Sequence, residues 1–190
     1  IAVGKSSVVN ILRSLGLAVI CADDLIKKIY QQDNIKSWLK LQQPTVFSNG
    51  AIDFTTLRQI VFNDSNFKDA LEKKLCLELP QVFLQEAQKY PNQAYLYYEV
   101  QLLVEKKLHP LVDVVVLIHA SPDKQKMRLQ QRDVQTQHIN EKIISIQTPY
   151  HEKKIHAHLE IINDGDEEQL KQEVLDMEKF VKNLLSTRKK

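Results

Sequence analysis

Apolar residues along the chain alternate between helix-spaced stripes and short continuous runs. Val8, Val9, Ile11, Leu12 and Leu15 recur at helical spacing and stop at Gly16, which predicts a helix beginning near Lys5. Leu17 to Cys21 is a short apolar run, so a buried strand is expected there, broken by Ala22-Asp23-Asp24 before a second helix starts at Asp24. From 24 to about 90 the chain reads as mostly helical, with a turn at Ser48-Asn49-Gly50. Leu25, Ile26, Ile29 and Tyr30 form one stripe, Leu57, Ile60, Val61 and Phe62 a second, and Leu71, Leu75, Leu79, Val82 and Phe83 continue it. That is too much helix for one crossover between neighbouring strands, so a helical insertion over a sheet is expected. Ala94 to Val100 returns to strand character behind Pro91-Asn92, its tyrosines read as strand packing and not as a stacking platform. Val112 to Ile118 is a nearly continuous β-branched run of the kind buried on both faces of a parallel sheet.

Ser121-Pro122-Asp123 opens the next helix, with proline at its first position. Met127 and Leu129 are expected to face the core, and the helix to end near Arg132-Asp133. A helix across Ile139, Ile143, Ile144 and Ile146 follows, then a short strand at Leu159 to Ile162, then an amphipathic helix from Asp166. Alternating strands and helices give an α/β class with a parallel sheet.

A length of 190 residues suits one domain of the larger kind. The formal net charge of +2 points to neither nucleic acid nor a membrane as partner, and no apolar run approaches the roughly 18 residues of a spanning helix. Cys21 and Cys76 share no metal or disulfide spacing, so a reduced, cytoplasmic setting is expected. The basic end, Arg188-Lys189-Lys190, reads as a solvated helix terminus.

Chemistry enters at the start of the string. Ile1-Ala2-Val3-Gly4-Lys5-Ser6-Ser7 reads as the back half of a phosphate-binding loop, Gly-x-x-x-x-Gly-Lys-Ser/Thr. Its first glycine and the strand that feeds it are expected to precede Ile1, a matter of about 5 to 10 residues. In such a loop, backbone N–H groups converge on phosphate oxygens, the lysine reaches the β and γ phosphates, and the hydroxyl ligates Mg²⁺. Ala2 to Ser7 would thus line the nucleotide, with Lys5 carrying the charge and Ser6 the metal. The tripeptide alone is a weak signal; the helical run behind it supplies its context.

The later motifs fall in order behind that loop. Leu15-Gly16 is followed by Val19-Ile20-Cys21-Ala22-Asp23, then Gly50-Ala51-Ile52-Asp53 with Leu57 and Val61-Phe62, then Leu102-Leu103-Val104-Glu105. Gln125-x-x-Arg128-x-x-x-Arg132 comes next, with Gln147 downstream, and Ala157-x-x-x-Ile161-x-Asn163-x-Gly165 closes the series. In this order and spacing the chain resembles the dephospho-coenzyme A kinase family, relatives of the nucleoside monophosphate kinases. The resemblance runs over nearly the whole length.

It implies a three-layer P-loop kinase fold with a helical substrate-binding insertion over about 24–90 and a lid over about 128–155. It also implies ATP with Mg²⁺ as the phosphoryl donor and the ribose 3′-hydroxyl of dephospho-coenzyme A as the acceptor. Asp23, at the C-terminal end of a strand, is the expected general base, with a helix cap as its plainer use. Arg128 and Arg132, four apart on one helix face, are expected on phosphate, Arg132 as a catalytic charge; otherwise they pair with Asp123 and Asp133. Asn163 falls where the resemblance places the family's base-side loop and is expected to bind the nucleotide. Glu105 either positions the acceptor or is a solvated charge beside Lys106.

Departures from the family pattern lie mostly on the acceptor side. Cys21 replaces an Asp, Phe54 an Arg, Cys76-Leu77 a His-Pro pair, Gln101 a proline and His158 an Asp. His151, His156 and His158 lack metal spacing, since the position that would close His-Glu-x-x-His is Ile155, and they read as solvated lid residues. Beside the resemblance stand two other readings: a P-loop kinase for another small molecule, and a nucleotide-binding regulatory protein without turnover.

Overall fold

The computed structural model describes residues 1–132 and 148–188. The expected helix over 139–146, most of the lid, Gln147 and the two terminal lysines lie outside them. The chain forms two compact units, Ile1–Leu17 with Gln101–Lys190, and Ala18–Val100.

The first unit opens with α1 (Lys5–Ser14). Its end follows from Gly16, whose φ of +75° suits a residue without Cβ. Gly16 N–H donates to Arg13 O at 3.0 Å and Leu17 N–H to Leu12 O at 3.1 Å, the paired bonds of a Schellman stop. In the same unit β5 (Val116–His119) pairs in parallel with β6 (Leu159–Ile162), Val116 opposite Leu159 and His119 opposite Ile162. Between these strands come α6 (Pro122–Arg132) and the short α7 (Tyr150–Lys154). The last helix, α8 (Glu167–Arg188), packs on α1 and β6, burying Leu170, Val174, Met177 and Val181 on one face.

The second unit holds β1 (Val19–Cys21) in parallel with β4 (Tyr97–Glu99), Cys21 opposite Glu99. Helices α2 (Ala22–Gln31), α3 (Asp33–Gln42), α4 (Phe54–Asn63) and α5 (Ser65–Ala87) make up most of it. Leu25, Ile29, Ile35, Leu39 and Val46 are its most deeply buried side chains, each contributing about 1.5–3 kcal/mol if the usual apolar burial applies. Asp53 and Asp64 cap α4 and α5: Asp53 accepts from the N–H of Thr55 and Thr56, Asp64 from that of Phe67. The Thr56 hydroxyl and these amides hold the Asp53 carboxyl below the ordinary carboxylate range.

Several expectations need correction. Between the helices stands a small hairpin, β2 (Phe47–Ser48) with β3 (Ala51–Ile52), whose Asn49-Gly50 turn has φ of +51° and +78°. That is the Asn-Gly turn whose twist matches a hairpin. The strand expected from Val112 begins only at Val116. Its partner β6 starts at Leu159, so pairing reaches back no further than Val115, whose carbonyl accepts from His158 N–H at 2.8 Å. Likewise Leu17 is spent on the helix stop, and β1 begins at Val19. Met127 is 44% exposed while Leu129 is buried, because residues two apart on a helix face opposite ways. Phe62 is exposed for a related reason, lying off the face that Leu57 and Val61 share.

Candidate active site

The loop before α1 is bent by two left-handed residues, Ala2 at φ +57° and Gly4 at φ +92°. Gly4 O accepts from Val8 N–H at 3.1 Å, so the helix starts directly behind the glycine. No side chain caps this N-terminus and its first turn holds no acidic residue. First-turn N–H groups and the helix dipole therefore favour an anion there, and Lys5 adds a cation at the first helical position. Ser6 and Ser7 are exposed beside it.

Two side chains reach this loop, one from the C-terminal end of β6 and one from α6. Asn163, directly after β6, is 5% exposed, and its Nδ2 donates to Val3 O at 2.9 Å. Arg128, on α6, donates from Nη2 to Asn163 O at 2.9 Å and Oδ1 at 3.2 Å, and from Nη1 to Ala2 O at a long 3.4 Å. The platform beneath is tied down as well: Asn163 N–H donates to His119 O at 2.7 Å, and Ser121 N–H to Asp164 Oδ1 at 2.7 Å. A Cβ added at Gly4 would fall 1.9 Å from Asn163 Nδ2. The glycine is thus needed for space as well as for its φ, and Asn163 is the residue that takes the space.

Ala2, Val3, Gly4, Arg128 and Asn163 are brought together in this way, with Lys5 and Ser6 following in the helix. Arg132 is the last residue of α6. Glu105 is not a solvated charge beside Lys106: its Oε1 lies 2.7 Å from Lys153 Nζ, both side chains 17% exposed. Burial pushes the Glu105 pKa up, but the Lys153 hydrogen bond and nearby backbone N–H groups outweigh it and hold the carboxyl below its ordinary value. In the second unit, Asp23 lies within the first turn of α2, which starts at Ala22 and not at Asp24. Cys21 is the N-cap residue, so Asp23 is not the helix cap. Asp24 pairs with Lys27 at 3.0 Å.

Some partners were invisible in the string. Tyr150 stacks on His119 with ring centres 4.0 Å apart and hydrogen-bonds Glu160, which Lys154 also pairs at 2.8 Å. Burial lowers the His119 pKa against the opposing charges of Asp164 and Glu160. Glu99, at the C-terminal end of β4, is a second carboxylate at a parallel strand end. Its signal was the acidic residue closing an aromatic strand. The histidines are not all solvated lid residues: His156 packs on His109 at 4.0 Å, and His158 Nδ1 accepts from Val115 N–H at 3.1 Å. Among the described residues no group of three or more His, Cys, Asp or Glu could hold a metal. Phe54, where the family pattern has Arg, packs edge-on against Tyr30 at 5.2 Å.

A Gly-Lys-Ser turn opening a helix, seated at the C-terminal ends of parallel strands, defines an α/β protein of the P-loop kinase fold. The family model for dephospho-CoA kinase matches residues 1–169. The chain is 30% identical over 181 residues to the dephospho-CoA kinase of Wolbachia sp. subsp. Brugia malayi, covering 93% of this chain and 92% of that one. With the dephospho-CoA kinase of Wolinella succinogenes it shares 32% identity over 176 residues, 92% and 87% of the two chains. Among solved structures, TT1252 from Thermus thermophilus superposes with a TM-score of 0.82 at 26% identity, over 98% of this chain and 93% of that one. The dephospho-CoA kinase from Campylobacter jejuni shares the fold, with a TM-score of 0.69 at 24% identity over 95% and 92%. The chain belongs to the dephospho-CoA kinase family.

Proposed function

We propose that this chain transfers the γ-phosphoryl group of ATP to the ribose 3′-hydroxyl of dephospho-coenzyme A, the last step of coenzyme A synthesis. The observation that carries the reading is the uncapped α1 N-terminus behind Gly4, with Lys5 and Ser6 in its first turn, in a chain of this family. Phosphoryl transfer asks little covalent help of a protein and much charge placement. Backbone N–H groups of residues 2–7 hold the phosphates, Lys5 offsets charge on the β and γ groups, and Arg132 adds a second cation. Asp23 accepts the proton of the 3′-hydroxyl as its oxygen bonds to phosphorus and the bridge to ADP breaks.

The residues present fit a Mg²⁺ ion bound largely through nucleotide phosphates, since Ser6 offers one exposed hydroxyl and no acidic cage stands ready among the described residues. Bound there, the ion would neutralise charge on the transferring group. Ser6 is the residue that would hold it. No helix among the described residues is long and apolar enough to cross a membrane. Cys21 and Cys76 are both thiols, with no disulfide between them.

ATP consumption measured with and without dephospho-coenzyme A tests the reading, with nucleoside monophosphates as alternative acceptors. ADP formation that depends on dephospho-coenzyme A is expected. Turnover with a nucleoside monophosphate alone moves the chain to another acceptor class. ATP binding without turnover on any acceptor leaves a regulatory nucleotide binder.

A further inference from the structure

Arg128 and Asn163 grip the phosphate loop by its carbonyls. Asn163 Nδ2 holds Val3 O at 2.9 Å, and Arg128 Nη1 leans toward Ala2 O at 3.4 Å. In a planar trans peptide the C=O of one residue and the N–H of the next point in opposite directions. A fixed Ala2 carbonyl therefore aims the Val3 N–H away from Arg128, and a fixed Val3 carbonyl aims the Gly4 N–H away from Asn163. These are the N–H groups that a phosphate loop turns toward its ligand. The guanidinium of Arg128 is meanwhile occupied by three acceptors: Asn163 O, Asn163 Oδ1 and, more loosely, Ala2 O.

We propose that Arg128 and Asn163 are positioning residues for the reaction: together they set the direction of the Val3 and Gly4 N–H groups, and Arg128 acts through Asn163 and the loop instead of touching the nucleotide. The proposal rests on the ATP-binding reading above and gives Arg128 a different task from Arg132. Asn163 is well suited to it. An amide supplies the donor for Val3 and the acceptor for Arg128 from one rigid plane, and its 5% exposure keeps water from competing for either bond. The missing Cβ of Gly4 is what admits it.

ATP binding by calorimetry, with thermal melts to establish folding, separates the brace from a direct phosphate contact. Asn163→Ala and Arg128→Ala should each weaken ATP about tenfold, the worth of one or two lost hydrogen bonds. The KM for dephospho-coenzyme A should stay unchanged. Because the two residues form one unit, the double variant should be no weaker than the worse single. Arg128→Lys should be as weak as Arg128→Ala, since one ammonium cannot span the acceptors of the planar fork. Should Asn163→Ala fail to melt cooperatively, Asn163→Ser, too short to reach Val3, replaces it. Additive losses of about a hundredfold in the double variant, ATP affinity restored by lysine at 128, or full affinity in Asn163→Ala would each overturn the brace. Wild-type protein that binds no ATP refutes the nucleotide reading itself; wild-type binding with unaffected variants refutes the brace alone.

Discussion

Gly4→Ala is a substitution whose cost the structure divides into two parts. The first part is backbone: at φ +92° an L side chain is strained, by about 1–2 kcal/mol. Gly16 isolates that part, since its φ is +75° and nothing lies within 4 Å of its Cβ position. The second part is steric, because the new methyl would lie 1.9 Å from Asn163 Nδ2 and must drive the amide away from Val3 O. Leaving that carbonyl without its donor costs about 1–3 kcal/mol more. Gly4→Ala should therefore cost about 2–5 kcal/mol against about 1–2 for Gly16→Ala. At about 2–4 °C per kcal/mol for a chain of this size, the melting temperature should fall by about 4–20 °C in the first and about 2–8 °C in the second. Circular dichroism melts at matched concentration, backed by urea unfolding at 25 °C, measure the difference. The double variant Gly4→Ala with Asn163→Ala removes the clash and should be less destabilised than the sum of its singles. Equal losses at Gly4 and Gly16 would refute the reasoning, since they would mean that Asn163 gives way at no cost.

Lys5→Ala should weaken ATP binding and nearly abolish turnover; unchanged turnover overturns the phosphate-loop reading. Asp23→Asn should keep the fold and most ATP affinity while lowering turnover about 10²- to 10⁴-fold, the usual share of a positioned base. Asp24→Asn, whose carboxylate already pairs with Lys27, should cost far less. Glu105 predicts an acid limb in stability: its folded pKa lies below the ordinary 4.5, so its contribution is complete above that value and is lost as pH falls through the folded pKa. Glu105→Gln should flatten this limb in melts taken across that range, and an unaltered pH profile would show that the Lys153 pair carries none of it.

Much of the architecture was legible because periodicity and stop signals agree locally. The α1 stripe ends at a glycine, Ser121-Pro122 opens α6, and Leu159–Ile162 forms the strand its residues favour. What the string concealed depends on partners distant in sequence. The late start of β5 is fixed by the start of β6, 43 residues away at Val116 and Leu159. The hairpin at Phe47–Ile52 was hidden by its length, two residues a strand, although its Asn-Gly turn was visible. At the site, Gly4, Lys5 and Ser6 announced themselves by spacing. That Asn163 fills the space above Gly4, and that Arg128 reaches the Ala2 carbonyl, required residues more than 120 positions apart to be seen together. Glu105 looked equivocal because its partner is Lys153 and not its neighbour Lys106.

The start of α2 changes how Asp23 is weighed. Had the helix begun at Asp24, the carboxylate would have had a structural use as the cap that accepts first-turn N–H bonds. With Ala22 as the first helical residue and Cys21 before it, that use falls away. Asp23 is then an exposed acid in a first turn at the end of β1, open to an acceptor hydroxyl. The register of β1 with β4 supplies a competitor, because Cys21 lies opposite Glu99 and parallel strands deliver their C-terminal ends to the same edge. Two carboxylates at that edge divide the possible work between them, so loss of activity in Asp23→Asn identifies the base only against Glu99→Gln. If proton transfer belongs to Asp23, its asparagine variant loses turnover with ATP affinity retained, whatever Glu99→Gln does to nucleotide binding. A turnover loss confined to Glu99→Gln moves the base from the end of β1 to the end of β4.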